Sequence, residues 1–161
     1  MLTELEHAIS LRNEGKKKES NELLLKLVKQ SPDDASIHYQ CAWSYDVLGE
    51  ELKAVPYYEK AIELGLSRAD LEGALLGLGS TYRTLGEYKK SKHVLMKGME
   101  LFPSNKAIQV FYSMTLYNLK EHQSAMELLL KCLVDTTEDA EILNYERAIL
   151  FYADKLNDVW K

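Results

Sequence analysis

Small and large apolar residues recur along the chain at helical spacings. In AVPYYEKAIELGL, residues 54–66, Ala54, Tyr58 and Ala61 fall four and then three residues apart. Such steps return to one face of an α-helix. SKHVLMKGMEL at 91–101 and SAMELLLKCLV at 124–134 have the same shape. Polar and charged residues fill the intervening positions, so each stretch predicts a helix with one packed face.

The spacing also repeats on a longer scale. Gly15 and Gly49 lie 34 residues apart, Gly86 follows 37 later, and Lys120 comes 34 after that. Pro32 and Pro103 are separated by one step of each kind. Both markers place a three-residue insertion near Ala69–Leu71. Units 1–34, 35–68, 72–105 and 106–139 then align. Their eighth positions read Ala8, Ala42, Gly79 and Ser113, and their twentieth Ser20, Ala54, Ser91 and Ala125. The eleventh reads Leu11, Tyr45, Tyr82 and Leu116, and the twenty-fourth Leu24, Tyr58, Leu95 and Leu129. Small residues let two helices approach, and large ones fill the space around the contact. A glycine near position 15 ends the first helix in a left-handed turn. Lys120 in that slot predicts a different turn geometry in the last unit. Pro56 is expected on the outward side of its helix, a few residues in.

These positions resemble the tetratricopeptide repeat, whose motif has small residues at 8 and 20, Tyr or Leu at 11, Gly at 15, a bulky residue at 24, Ala at 27 and Pro at 32. Unit two matches closely, with Leu66 in place of the proline. Unit three matches through Pro103. The resemblance implies an all-α fold. Antiparallel helix-turn-helix units, about four of them, stack as a right-handed α-solenoid within a single domain over 1–161. It is nearest to the small stand-alone repeat proteins of bacteria.

Residues 138–161 follow the last unit. Ile142, Tyr145, Ile149, Tyr152 and Leu156 form one helical stripe, which predicts a C-terminal capping or docking helix over 140–157. Phe151, Tyr152 and Trp160 widen its apolar side and are candidate contacts with a second copy. At the other end, Thr3 and Glu6 fit a capping box for the first helix.

Charge and chemistry narrow the function. The net charge is −5 and the acids and bases are interspersed, so no basic face suits nucleic acid. No run is apolar and long enough for a membrane helix, and MLTELEHAIS does not read as a secretory signal. Two cysteines, Cys41 and Cys132, lie far apart, which fits a reducing cytoplasm. No phosphate loop, HExxH or CxxC occurs. The glycines of GLGSTYRTLG, 77–86, follow no strand and fall inside a first helix, so they are no nucleotide fingerprint. His7, His38 and Cys41 are the best metal candidates, on facing helical positions. With no fourth ligand, a cluster of packed side chains is the preferred interpretation. Neither catalysis nor a cofactor is expected.

The resemblance further implies a groove lined by the first helices of the units. At its groove positions this chain has Leu5, Tyr39, Leu76 and Val110, then Ile9, Trp43 and Met114, then Arg12, Arg83 and Tyr117. The bulky groups at the ninth positions, where the family often has Asn, suggest a surface for an apolar peptide or helix. Arg12 and Arg83 are placed to engage carboxylates. The family's chaperone-binding clamp would need Lys, Asn and Arg where this chain has Leu5, Ile9, Gln40, Gly73 and Gly77, so a chaperone-tail receptor is not expected. A protein-binding scaffold is thus the first expectation. A homodimer formed through the groove or the tail is the second.

Overall fold

A computed structural model describes residues 1–161. Every regular element is an α-helix. The chain divides into two units, Met1–Glu87 and Tyr88–Lys161.

The first unit holds α1 (Glu4–Asn13), α2 (Lys17–Gln30), α3 (Ala35–Asp46), α4 (Glu51–Leu64) and α5 (Arg68–Thr84). Each start has a chemical cause. Thr3 accepts from the Glu6 amide while the Glu6 carboxylate accepts from the Thr3 amide, so the capping box forms. Asp34 caps α3 and Ser67 caps α5. The inserted residues near Ala69–Leu71 lie in the first turn of α5, which runs to 17 residues against 12 in α3. Pro56 lies inside α4 on an exposed position.

Helices α1 and α2 pair, as do α3 and α4, while α1, α3 and α5 lie side by side. The small residues are where close approach requires them. Ala8, Ser20, Ala42 and Ala54 are fully buried, and Ser20 Oγ donates to the Ala8 carbonyl at 2.7 Å. Leu11, Leu24, Tyr45 and Tyr58 pack around those contacts and are buried. Burying side chains of this size stabilises by roughly 1.5–3 kcal/mol each.

The second unit holds α6 (Tyr88–Leu101), α7 (Lys106–Asn118), α8 (His122–Thr136), α9 (Ala140–Asn144) and α10 (Glu146–Tyr152). Asn105 caps α7 through the Ile108 amide. Ser91 and Thr115 hydroxyls meet at 2.9 Å between α6 and α7. Leu95, Ile108, Leu116 and Ala125 form the core, and α10 packs on α8.

Two expectations require correction. Lys120 does not change its turn. Its φ of 64° matches the left-handed conformation of Gly15, Gly49 and Gly86, with φ of 84°, 73° and 77°. The turn is held by the Lys120 and Glu121 amides donating to Tyr117 and Leu116 carbonyls, and the residue type yields to it. The tail is not one helix over 140–157. It breaks at Tyr145, whose amide donates to the Ile142 carbonyl and whose ψ is 12°, and helix ends at Tyr152. Beyond that point the chain is tied back to α8: Gln123 Nε2 donates to the Asp154 carbonyl and Asn157 Nδ2 to Gln123 Oε1. The expected stripe is therefore divided among two helices and a turn.

Candidate functional site

Within residues 1–87, the neighbouring helices α1, α3 and α5 carry Leu5, Ile9 and Arg12, then Tyr39 and Trp43, then Leu76 and Arg83. Leu5, Ile9, Leu76 and Arg83 are half-buried, Tyr39 is buried, and Trp43 is 41% exposed. Trp43 stands out because the rest of α3 is nearly all buried. Its indole stacks on Tyr39, with ring centroids 6.1 Å apart, and Tyr39 in turn leans on Tyr58 at 6.2 Å. The aromatic surface thus rests on rigid groups beneath it.

Arg12 does not extend into solvent as its charge suggested. It is 8% exposed, with its Cζ 4.0 Å from the Trp43 ring centroid and Nη2 donating to Gln40 Oε1 at 2.7 Å. Nη1 is buried and meets no acceptor. Burial pulls the guanidinium pKa below its usual value, and the neighbours that oppose this are Tyr39 and Tyr58. No carboxylate pairs with it.

Asp46 stands in its repeat where Arg12 and Arg83 stand in theirs, but its role is internal. It accepts from Tyr58 Oη at 2.6 Å and from Thr81 Oγ1 at 2.9 Å, joining α3 to α4 and α5. Burial raises its pKa, against these two hydrogen bonds. The glycines of α5 fit the same junction. A Cβ on Gly73 would stand 2.1 Å from Tyr39 Oη, and one on Gly77 2.5 Å from Tyr58 Oη. Their absence of side chain gives the two phenols room. Gln40, Gly73, Gly77 and Thr81 therefore support the face without lining it. Of these, Gly77 and Thr81 lie in the glycine-rich stretch 77–86, which no nucleotide site explained.

Within residues 88–161, Val110, Met114 and Tyr117 lie along α7. Val110 is half-buried, Met114 is exposed and Tyr117 is 63% exposed, with its ring stacked on His122 at 4.8 Å. In the tail, Phe151, Tyr152 and Trp160 gather. Tyr152 meets Phe151 at 5.1 Å and Trp160 at 5.3 Å, both edge-on. All three remain about half exposed, Trp160 at 59%.

The facing arrangement expected of His7, His38 and Cys41 does not form. His7 is exposed, His38 Nε2 lies 2.8 Å from the Pro32 carbonyl, and Cys41 is buried. Burial pushes the Cys41 thiol up to about 12. No three His, Cys, Asp or Glu side chains gather to hold a metal. No helix is long and apolar enough to cross a membrane.

No curated protein matches the chain by sequence. Solved structures match its fold. YrrB, described as a tetratricopeptide repeat protein with an unusual peptide-binding site, aligns over 96% of this chain and 77% of its own, at 18% identity and a TM-score of 0.75. MamA aligns over 90% and 74%, at 18% identity and 0.73. The Cut9–Hcn1 hetero-tetramer of the APC/C aligns over 91% of this chain and 29% of that one, at 15% identity and 0.74. These likenesses establish a tetratricopeptide solenoid fold. The family model described as tetratrico peptide repeat matches residues 35–156, most of the sequence. On that match, with the fold agreeing, the chain belongs to the tetratricopeptide repeat family.

Proposed function

We propose that the chain is a non-catalytic interaction module that binds a peptide or helix of a protein partner. The α1–α3–α5 face of residues 1–87 is the primary site, with Trp43 as its anchor. Val110, Met114 and Tyr117 on α7 form a second contact strip. The observation that carries this reading is the half-exposed Trp43 indole, backed by Tyr39 and spread over Arg12. Exposed aromatics on rigid supports are the groups that dominate binding energies at protein interfaces. YrrB's description as peptide-binding supports the same class of partner. A cytoplasmic location belongs with this reading and is favoured by two free, buried thiols.

The test is a peptide selected from a random library against the whole chain. Trp43→Ala should weaken it by at least about 2 kcal/mol while leaving the melting transition in place. Undiminished affinity in a folded variant rules out the site.

A second reading is favoured by the tail cluster of Phe151, Tyr152 and Trp160, an exposed aromatic group large enough to meet its own copy. Light scattering across a concentration series should then give twice the 18.5 kDa chain mass, falling to the monomer value in Trp160→Ala. A monomer at every concentration excludes it.

A further inference from the structure

Arg12 is a buried cation with an unmet donor. Its guanidinium is charged at any ordinary pH, and the residue as a whole is only 8% exposed. Of its donors, Nη2 is taken by Gln40, whereas Nη1 offers two N–H groups and meets no acceptor. Buried donors are almost always satisfied, and an orphaned one invites an explanation. A buried cation is more demanding still, because it has left water without a counter-charge. The group above it is Trp43, which stacks over the guanidinium and is itself partly in solvent.

We propose that this face selects partner segments bearing an aspartate or glutamate side chain. The carboxylate takes Nη1 of Arg12 as Trp43 turns aside, and apolar neighbours on the segment then pack against the displaced indole. This rests on the peptide-binding reading above and names the chemistry of its partner. A guanidinium meets a carboxylate with parallel N–H···O bonds, and removal from water strengthens them. An internal side chain suits the face better than a chain end. Leu5, Ile9, Trp43 and Leu76 are spread over three helices, so a segment must run past Arg12 to cover them.

The test uses the full chain with Trp160→Phe, which leaves Trp43 as the reporting tryptophan. Peptides with amidated C-termini are selected from a random library. The tightest binder is remade with each Asp or Glu replaced by its carboxamide. One of these replacements should cost at least about tenfold in affinity. On Arg12→Met the acid and amide forms should bind within about twofold of each other, and Arg12→Lys should recover part of the preference. Trp43 emission should change on binding. Thermal melts of both Arg12 variants confirm that they fold. Acid and amide forms binding the wild type equally, with Trp43→Ala still harmful, overturn the proposal and spare the site. Binding indifferent to Trp43→Ala, or no binder at all, overturns both. If the acid preference is lost only when a free C-terminal carboxylate is supplied in its place, the source is a chain end, and the proposal of an internal side chain is again overturned.

Discussion

Gly73→Ala tests whether the packing behind the candidate face is as close as it appears. On helix propensity alone this substitution in α5 stabilises, by roughly 1 kcal/mol. The structure reverses the sign. The new Cβ would stand 2.1 Å from Tyr39 Oη and 3.1 Å from its Cζ. Tyr39 cannot simply lean away, because Trp43 stacks on it and Tyr58 lies behind it. Overpacking of this kind costs about 1–3 kcal/mol, so the net effect should be a loss of up to about 2 kcal/mol. Tyr39→Phe removes the offending oxygen and leaves the 3.1 Å contact, which a slight shift relieves. In that background Gly73→Ala should be neutral or stabilising. The coupling between the two substitutions should therefore be about 2 kcal/mol, within the range seen for residues in contact. Urea unfolding of the four corners of this cycle, followed by circular dichroism, measures it. Stabilisation by Gly73→Ala in the wild type, or an equal effect in both backgrounds, would show that Tyr39 does not crowd this position.

Two further outcomes follow from single groups. Lys120→Gly should stabilise by roughly 1 kcal/mol, since it relieves a side chain at φ 64° in a turn that the other units make with glycine; an unchanged denaturation midpoint would contradict this. Asp46 has a raised folded pKa, with burial as the main cause, so its neutral form is favoured in the folded state. The stability this contributes is complete below the unfolded value of about 4 and is lost as pH rises through the folded one. The stability difference between Asp46→Asn and wild type should therefore shift in favour of the variant as pH rises above about 4, and a flat difference would show that the burial does not bias protonation.

Much of the helical arrangement was legible because it is set by local periods. Ala8, Ala42, Ser20 and Ala54 recur at fixed offsets, and those offsets alone imply two helices in close contact. The capping residues Thr3 and Asp34 act within their own turn. What was not legible depends on a neighbouring helix or on competition between local terms. Nothing near Arg12 in sequence says that Trp43 will cover it, and a charge near a helix end is ordinarily exposed. Asp46 sits at a groove position by count, yet Tyr58 and Thr81 draw it inward. The apolar period runs on through Tyr145, but the backbone turns there and the chain beyond Tyr152 is held by Gln123. At Lys120 the left-handed turn prevailed over the side-chain preference that predicted a different geometry.

Under the proposed function the α1–α3–α5 face, rather than the outer helices or the tail, receives the partner. Amide chemical-shift mapping of the whole chain with a library-selected peptide tests it most directly. The largest shifts within the first unit should cluster at Leu5, Ile9, Tyr39, Trp43 and Leu76, with the Trp43 indole N–H among them. Shifts confined to α2 and α4, or to the tail around Phe151 and Trp160, would contradict it.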